Sequence, residues 1–381
     1  MATDVLIIGG GPVGLYLAAS LLQDGVSVRV IEQRQARNLH TRAIGIHPPA
    51  LEALDQVQVA SSAVRDGVQI RDGMAVRGGK TVGSMSFAGV SPAFPFVLAL
   101  PQSRTEELLE ERVHQLDAEA IVRGVRASGV KDDGARVTVV GEAESRKVDY
   151  VASLVVAADG ARSHVRELLR VPVRTRNYPD HYLMGDFRDP GIQGGTAVLF
   201  LERGGIVESF PLPGGVRRWV VRLGRPAGDA GPDQLAALVR ERTGVLPDAR
   251  TNTMLSAFSV RSTLVRRMVA GRVVLIGDAA HEISPIGGQG MNLGWLDAQA
   301  LSPVIRSALR AGRPDHTDGL FREFDAGRRQ AAVLARRQSE INMMLGRPLP
   351  EPLLSLRNLG ISAAAATPAV NRWVARRFTM Q

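Results

Sequence analysis

Cysteine is missing from all 381 residues. Its absence removes disulfides, thiol catalysis and cysteine-ligated metals or iron–sulfur clusters in one step. Lysine is nearly missing as well: Lys80, Lys131 and Lys147 are the only three, so the formal charge of +9 is carried by arginine. Those arginines are spread along the chain, and aromatic residues make up only 4% of it. The basic stripe interleaved with aromatics that marks a nucleic-acid surface is absent, and no nucleic-acid partner is expected. The seven histidines show no metal-ligand spacing, so no metal is expected. The apolar stretch Leu6 to Leu22 has no basic region before it. Asp4 precedes it, and the three consecutive glycines Gly9 to Gly11 with Pro12 break it at its centre. These features argue against a signal peptide and against a membrane span, leaving a cytoplasmic protein with no membrane partner as the expectation.

An apolar fraction of 45% and a charged fraction of 22% are ordinary for a globular protein. The length predicts two domains, or one large and one small. The most informative stretch is Asp4 to Gln33. Val5 to Ile8 is a short apolar run of the buried parallel-strand kind. It ends in Gly9-Gly10-Gly11-Pro12-Val13-Gly14, a G-x-G-x-x-G that opens a helix to about Leu22. Gly25 terminates the helix, and Val26 to Ile31 forms a second apolar strand ending at Glu32. Gly9 turns the chain, Gly11 lets a pyrophosphate approach the backbone, and Gly14 allows close helix–strand packing. The helix N-terminus offers unpaired N–H groups to the phosphates, and Glu32 suits a ribose hydroxyl pair. Strand, helix, second strand and terminal acid in register predict dinucleotide binding.

A loop from Gln33 and Arg34 through His40, Thr41, Arg42 and His47 leads to a helix opened by Pro48-Pro49. Val68 to Phe96 alternates between glycines and reads as antiparallel hairpins. A strand at Leu98 to Gln102 precedes a helix in which Ser103 and Glu106 form a capping box. Ala120 to Val151 looks like a meander, and Ser153 to Ala158 is a buried strand stopping at Asp159-Gly160. From Asp180 to Thr263 antiparallel strands return, interrupted by a helix near Pro232 to Thr243. Gly271 to Ile276 is another buried strand, ending at Gly277-Asp278. A long helix follows from about Gly290, and the remainder from about Thr317 is helical. A Rossmann-like domain interrupted by two β insertions that meet as one sheet domain is the expected architecture, with substrate in the crevice between them.

Three signals thus lie at the ends of predicted buried strands, where ligands of open parallel sheets bind: Gly9 to Gly14, Asp159 to Ser163, and Gly277 to His281. The third continues as Pro285-Ile286-Gly287-Gly288-Gln289-Gly290-Met291-Asn292, glycines running straight into a helix. With these motifs in this order, the chain closely resembles the class A flavoprotein monooxygenases, the para-hydroxybenzoate hydroxylase-like family that includes the aromatic polyketide hydroxylases.

The resemblance implies an α/β fold in which a Rossmann-like FAD-binding domain of the glutathione-reductase type (GR2) is interrupted by a mixed or antiparallel β-sheet substrate domain, with helices at the C-terminus. The corresponding partition is 1–70, 101–180 and 265–340 for FAD, 71–100 and 181–264 for substrate, and 341–381 for the helical segment. FAD would lie against Gly9, Gly11, Pro12, Val13, Gly14, Glu32, Gln33, Arg34, Arg42, Gln102, Asp159, Gly277, Asp278, Pro285, Gly288, Gly290, Met291 and Asn292. Asp278 would accept hydrogen bonds from the ribityl hydroxyls. Helix-terminal N–H groups near Gly287 to Asn292 would stabilise charge on the reduced flavin. Asp159 could serve the cofactor or simply cap a helix. Substrate candidates are Met184, Phe187, Phe210, Pro211 and Leu212, and candidates for a catalytic part are His47, Arg222, Pro285 and Gly288. His281 reads as a structural residue.

The implied reaction is NAD(P)H-dependent insertion of one oxygen of O2 into an aromatic or polyketide-like molecule through a flavin C4a-hydroperoxide, in secondary metabolism. Monomer and homodimer both stay open. Rival readings are a geranylgeranyl-reductase-like enzyme, a Baeyer–Villiger or epoxidising oxygenase, and a non-enzymatic binder like the GDP-dissociation inhibitors. The W-x-W-x-I-P motif of flavin-dependent halogenases is absent.

Overall fold

The computed structural model describes every residue except 1, 38–41, 145, 190, 192 and 313–318. The loop positions His40 and Thr41, and the start of the helical tail at Thr317, lie outside the described residues. The first of three sheets has eight strands. Its parallel core runs, in spatial order, Val273–Leu275, Arg146–Ala157, Ala2–Ile8, Val28–Glu32 and Ile121–Arg123. Val5, Leu6 and Ile7 are completely buried, because helices and the rest of the core cover both faces of this central strand. Each such side chain contributes on the order of 2 kcal/mol through burial. The strand order reverses at Ala2–Ile8, the point where open α/β sheets bind ligands. Ile8 pairs with both Ile31 and Ala157, and Ala157 pairs with Leu275. The carboxyl ends of four strands therefore lie level along one edge. Helices Pro12–Gln23, Gln102–Leu116 and Gln289–Arg310 pack together beside them.

The sequence separates a meander from the buried strand at Ser153, but Arg146–Ala157 is one continuous strand. Its first half pairs antiparallel with Val137–Ala143 and its second half parallel with Ala2–Ile8. The capping box at Ser103 also does not form. The helix begins at Gln102 with Pro101 at the cap position, and the Glu106 carboxylate instead accepts from Gln102 Nε2 at 2.7 Å.

The second sheet also has eight strands. Its centre is antiparallel, from Met254–Val265 through Val173–Arg188, Val216–Leu223 and Val207–Leu212 to Ala197–Phe200. The last of these pairs parallel with Asp72–Arg77, which turns back into Lys80–Ser86. Of the stretch 68–96, read as hairpins, residues 72–86 thus form one hairpin of this sheet. Val68–Ile70 joins a small third sheet with Gly45–Ile46 and Val97–Ala99. Helix Pro232–Thr243 covers one face of the second sheet. The opposite face looks toward the first sheet across a cavity. Gly319–Leu345 packs along Gln289–Arg310, and Glu351–Ala366 and Pro368–Phe378 pack on the strand Lys80–Ser86.

Candidate active site

A cavity of about 1290 Å³ runs from the strand ends of the first sheet to the inner face of the second. It exceeds the roughly 300–1,000 Å³ of an ordinary small-molecule pocket, leaving space for a long cofactor and a second molecule together. At one end are Gly9, Gly11, Pro12, Val13, Glu32, Gln33 and Arg34. Gly9 has φ +112°, and a Cβ there would sit 2.4 Å from the Ala158 carbonyl oxygen. Gly14 does not reach the cavity; its missing Cβ makes room for the Gly9 carbonyl. Glu32 Oε2 accepts from Gly10 N–H at 2.7 Å, and Oε1 accepts from Arg34 N–H at 3.0 Å and Nε at 2.8 Å. Burial works to raise its carboxyl, but the Arg34 bonds and charge and the Gly10 N–H outweigh it and hold the group below its ordinary value. Glu32 is therefore an anion fixed at the strand end.

Midway, Asp159, Gly277 and Asp278 line the wall. Asp159 Oδ2 accepts from Val165 N–H at 3.1 Å, while its buried Oδ1 has no partner. The cap of the following short helix is Ser163, not Asp159. Asp278 accepts no hydrogen bond from any described residue. Its side chain is open to the cavity but enclosed by protein. That desolvation, with Glu282 and Asp297 nearby and despite His281, pushes its carboxyl up to about 6. The Asp278→Asn variant without cofactor is therefore expected to melt higher than the parent above about pH 6. A carboxyl raised in the folded state costs stability as pH climbs from its unfolded value through its folded one. The gap should close as pH falls toward about 4, which a series of thermal melts reads directly.

The Gly277 turn is held from behind by residues the sequence motifs do not flag. Asp297 Oδ2 accepts from Gly277 N–H at 3.0 Å and bonds His281 Nε2, and Oδ1 accepts from Arg328 Nε at 2.7 Å. Burial lowers the His281 imidazole, but the Asp297 charge and hydrogen bond prevail and raise it. His281 is thus spent on Asp297 and does not line the cavity. A Cβ on Gly294 would lie 2.5 Å from Val13, so this glycine lets the long helix approach the fingerprint. Neither residue has a local signal; Asp297 and Gly294 read as ordinary positions inside a helix.

Farther along, Pro285, Gly288, Gly290 and Met291 line the cavity at the start of helix Gln289–Arg310, whose first N–H groups lack helical partners. Asn292 does not line it. Its Oδ1 accepts from His47 N–H at 2.8 Å, and its Nδ2 donates to Gly45 O at 2.9 Å and Gly288 O at 2.6 Å. It stitches the Gly45–His47 segment to the glycine turn. His47 does line the cavity, buried against Phe378, and burial alone lowers its imidazole to about 4. It is neutral near pH 7. Gln102 and Arg42 also face the cavity, Arg42 with its guanidinium over the Phe258 ring at 5.7 Å.

On the second sheet, Met184 and Phe210 reach the cavity. Phe187, Pro211, Leu212 and Arg222 are not among its lining residues. Strand alternation sends Phe187 to the face under helix Pro232–Thr243, and Pro211 is out of step with Phe210. Leu212, at the end of its strand, packs with Phe87 and Ala375. Arg222 Nε is spent on Asp180 Oδ1 at 3.1 Å, in a cluster shared with Arg347. It holds the fold together there instead of meeting substrate.

A switch-point crevice with an anchored acid, open glycines and a helix N-terminus defines the dinucleotide-binding class of α/β proteins. Residues 2–334 match the family described as FAD binding domain. The chain belongs to that family: FAD is its cofactor, and it is a flavin-dependent monooxygenase. It is 31% identical over 394 residues to a rifampicin monooxygenase of Streptomyces venezuelae, covering 99% of this chain and 78% of that protein. It superposes on the anhydrotetracycline hydroxylase of Streptomyces rimosus with TM-score 0.80 at 27% identity, over 100% of this chain and 76% of that one. The p-nitrophenol 4-monooxygenase of Pseudomonas putida DLL-E4 shares the fold at TM-score 0.89 and 24% identity, covering 100% and 98%. Among the described residues no helix is long and apolar enough to cross a membrane. No group of three or more metal-ligating side chains occurs among them either.

Proposed function

We propose that this enzyme hydroxylates an aromatic, polyketide-like molecule at the expense of O2 and NAD(P)H. The cavity carries that reading: a polar half built from strand ends continues into an apolar half under the second sheet, and the chain is similar over nearly its whole length to proteins named for rifampicin and anhydrotetracycline oxygenation. Bound in the polar half, FAD supplies the two-electron redox chemistry that lets one atom of O2 enter a substrate. Glu32 would hold the adenosine ribose, Gly11 and the following helix N-terminus the pyrophosphate, and Asp278 the ribityl hydroxyls. Asp159 Oδ1, buried and unpartnered, fits a donor from the same group. Gln289 to Met291, the first residues of the helix, would present N–H groups to the pyrimidine edge, where negative charge develops on reduction. The aliphatic and aromatic wall from Met184 to Phe258 excludes water from the oxygen-transfer region.

Two experiments test this. Asp278→Ala is expected to fold yet lose FAD on gel filtration; full flavin occupancy would contradict the ribityl role. Substrate-stimulated NAD(P)H oxidation with equimolar oxygen uptake supports a monooxygenase on that substrate, whereas nicotinamide consumption without oxygen uptake points to a double-bond reductase.

A further inference from the structure

We propose that Glu208 sets the substrate preference of the apolar half-cavity by accepting a hydrogen bond from a hydroxyl group on an aromatic ring. The inference rests on the aromatic-monooxygenase reading above and deepens it. Glu208 lies on Val207–Leu212, paired with Leu199 on one side and Val220 on the other, and Val220 pairs with Met184. All four line the cavity. A single carboxylate thus stands in the middle of an apolar row on the sheet face under which substrate must lie.

Glu208 is only 7% exposed, and its carboxyl accepts no hydrogen bond from any described residue. The other buried acids differ. Asp180, Asp186 and Asp297 are each held by arginine, and Glu106 by Gln102. A lone carboxylate in an apolar wall is destabilising, so folding alone gives no reason for it. Burial pushes its carboxyl up to about 7, leaving a substantial anionic fraction near neutrality. The neighbouring Tyr182 hydroxyl is likewise buried without a partner, and Arg222 beyond it is engaged by Asp180. Among the described residues no cation neutralises Glu208.

Facing the cavity with an acceptor that no described residue uses, Glu208 is placed to take a donor brought by a ligand. A ligand carboxylate would be repelled. An ammonium group would add a second desolvation cost to the same apolar wall. A neutral aryl hydroxyl loses little on burial and makes a short charge-assisted O–H···O⁻ bond.

The test uses FAD-loaded protein and two probes of nearly equal shape, 2-naphthol and 2-methoxynaphthalene, titrated by fluorescence. The parent protein is expected to prefer the naphthol by roughly ten- to a hundredfold. Glu208→Leu should abolish that preference while melting higher than the parent, and Glu208→Gln, which keeps the volume, should retain only part of it. Equal or undetectable discrimination by the parent, or an undiminished preference in either variant, overturns the assignment. Oxygen uptake on the same preparations keeps the two readings apart. A protein that prefers naphthol but oxygenates no ring refutes the proposed reaction while keeping the hydroxyl receptor. One that oxygenates rings without this preference refutes Glu208 alone.

Discussion

Asp297→Ala is expected to unfold about 3–5 kcal/mol more easily than the parent chain, the cost of removing one partner from a buried charge cluster. Asp297 is completely buried, and its two oxygens gather His281, Arg328 and the Gly277 N–H. Truncation leaves the buried His281 ring without its partner, leaves a partly buried guanidinium without its carboxylate, and frees the turn that carries Asp278. Urea unfolding of the FAD-free protein reads the stability loss. Spectroscopic titration with FAD should show weaker binding, although Asp297 lies behind the wall and does not line the cavity. Asn at this position keeps the shape and one acceptor, so it should recover part of the loss. A parent-like urea midpoint for the alanine variant would show that the cluster is not needed for stability.

Gly11 and Gly14, three positions apart in one motif, are expected to fail in opposite ways. A Cβ at Gly14 would lie 2.0 Å from the Gly9 carbonyl oxygen and 3.3 Å from Ile7 Cγ2, one of them rigid backbone. Gly14→Ala must push helix and strand apart, costing about 3 kcal/mol or more, and should lower the melting temperature with or without FAD. Gly11 has φ −85°, which any residue adopts, and a Cβ there meets nothing within 4 Å. The protein itself gives no reason for glycine at this position; an approaching ligand does. Gly11→Val is therefore expected to leave the FAD-free melting temperature nearly unchanged while weakening FAD binding at least a hundredfold. Tight flavin binding by Gly11→Val would remove the pyrophosphate from that position.

Much of the site was legible in the chain because it is built from local devices. An apolar strand, a glycine turn and a helix start are encoded by adjacent residues, so Gly9 to Gly14, Glu32, Gly277-Asp278 and the glycines before Met291 could be read in order. Asn292 was picked out by the same motif, but its task is different. It binds Gly45, His47 and Gly288, a partnership spanning some 245 positions that no local pattern encodes. Phe187 and Arg222 fell on the right strands, but side-chain parity and a buried ion pair removed them from the cavity.

By itself, then, the chain determined its class: short-range backbone chemistry at strand ends specifies a dinucleotide crevice whatever surrounds it. Only the tertiary structure decided how that crevice is braced and what its far half prefers. Asp297 and Gly294 acquire meaning from elements they touch across space, and Glu208 from having no partner among the described residues. Those are properties of packing, set when distant strands align in register, and the order of residues along the chain does not display them.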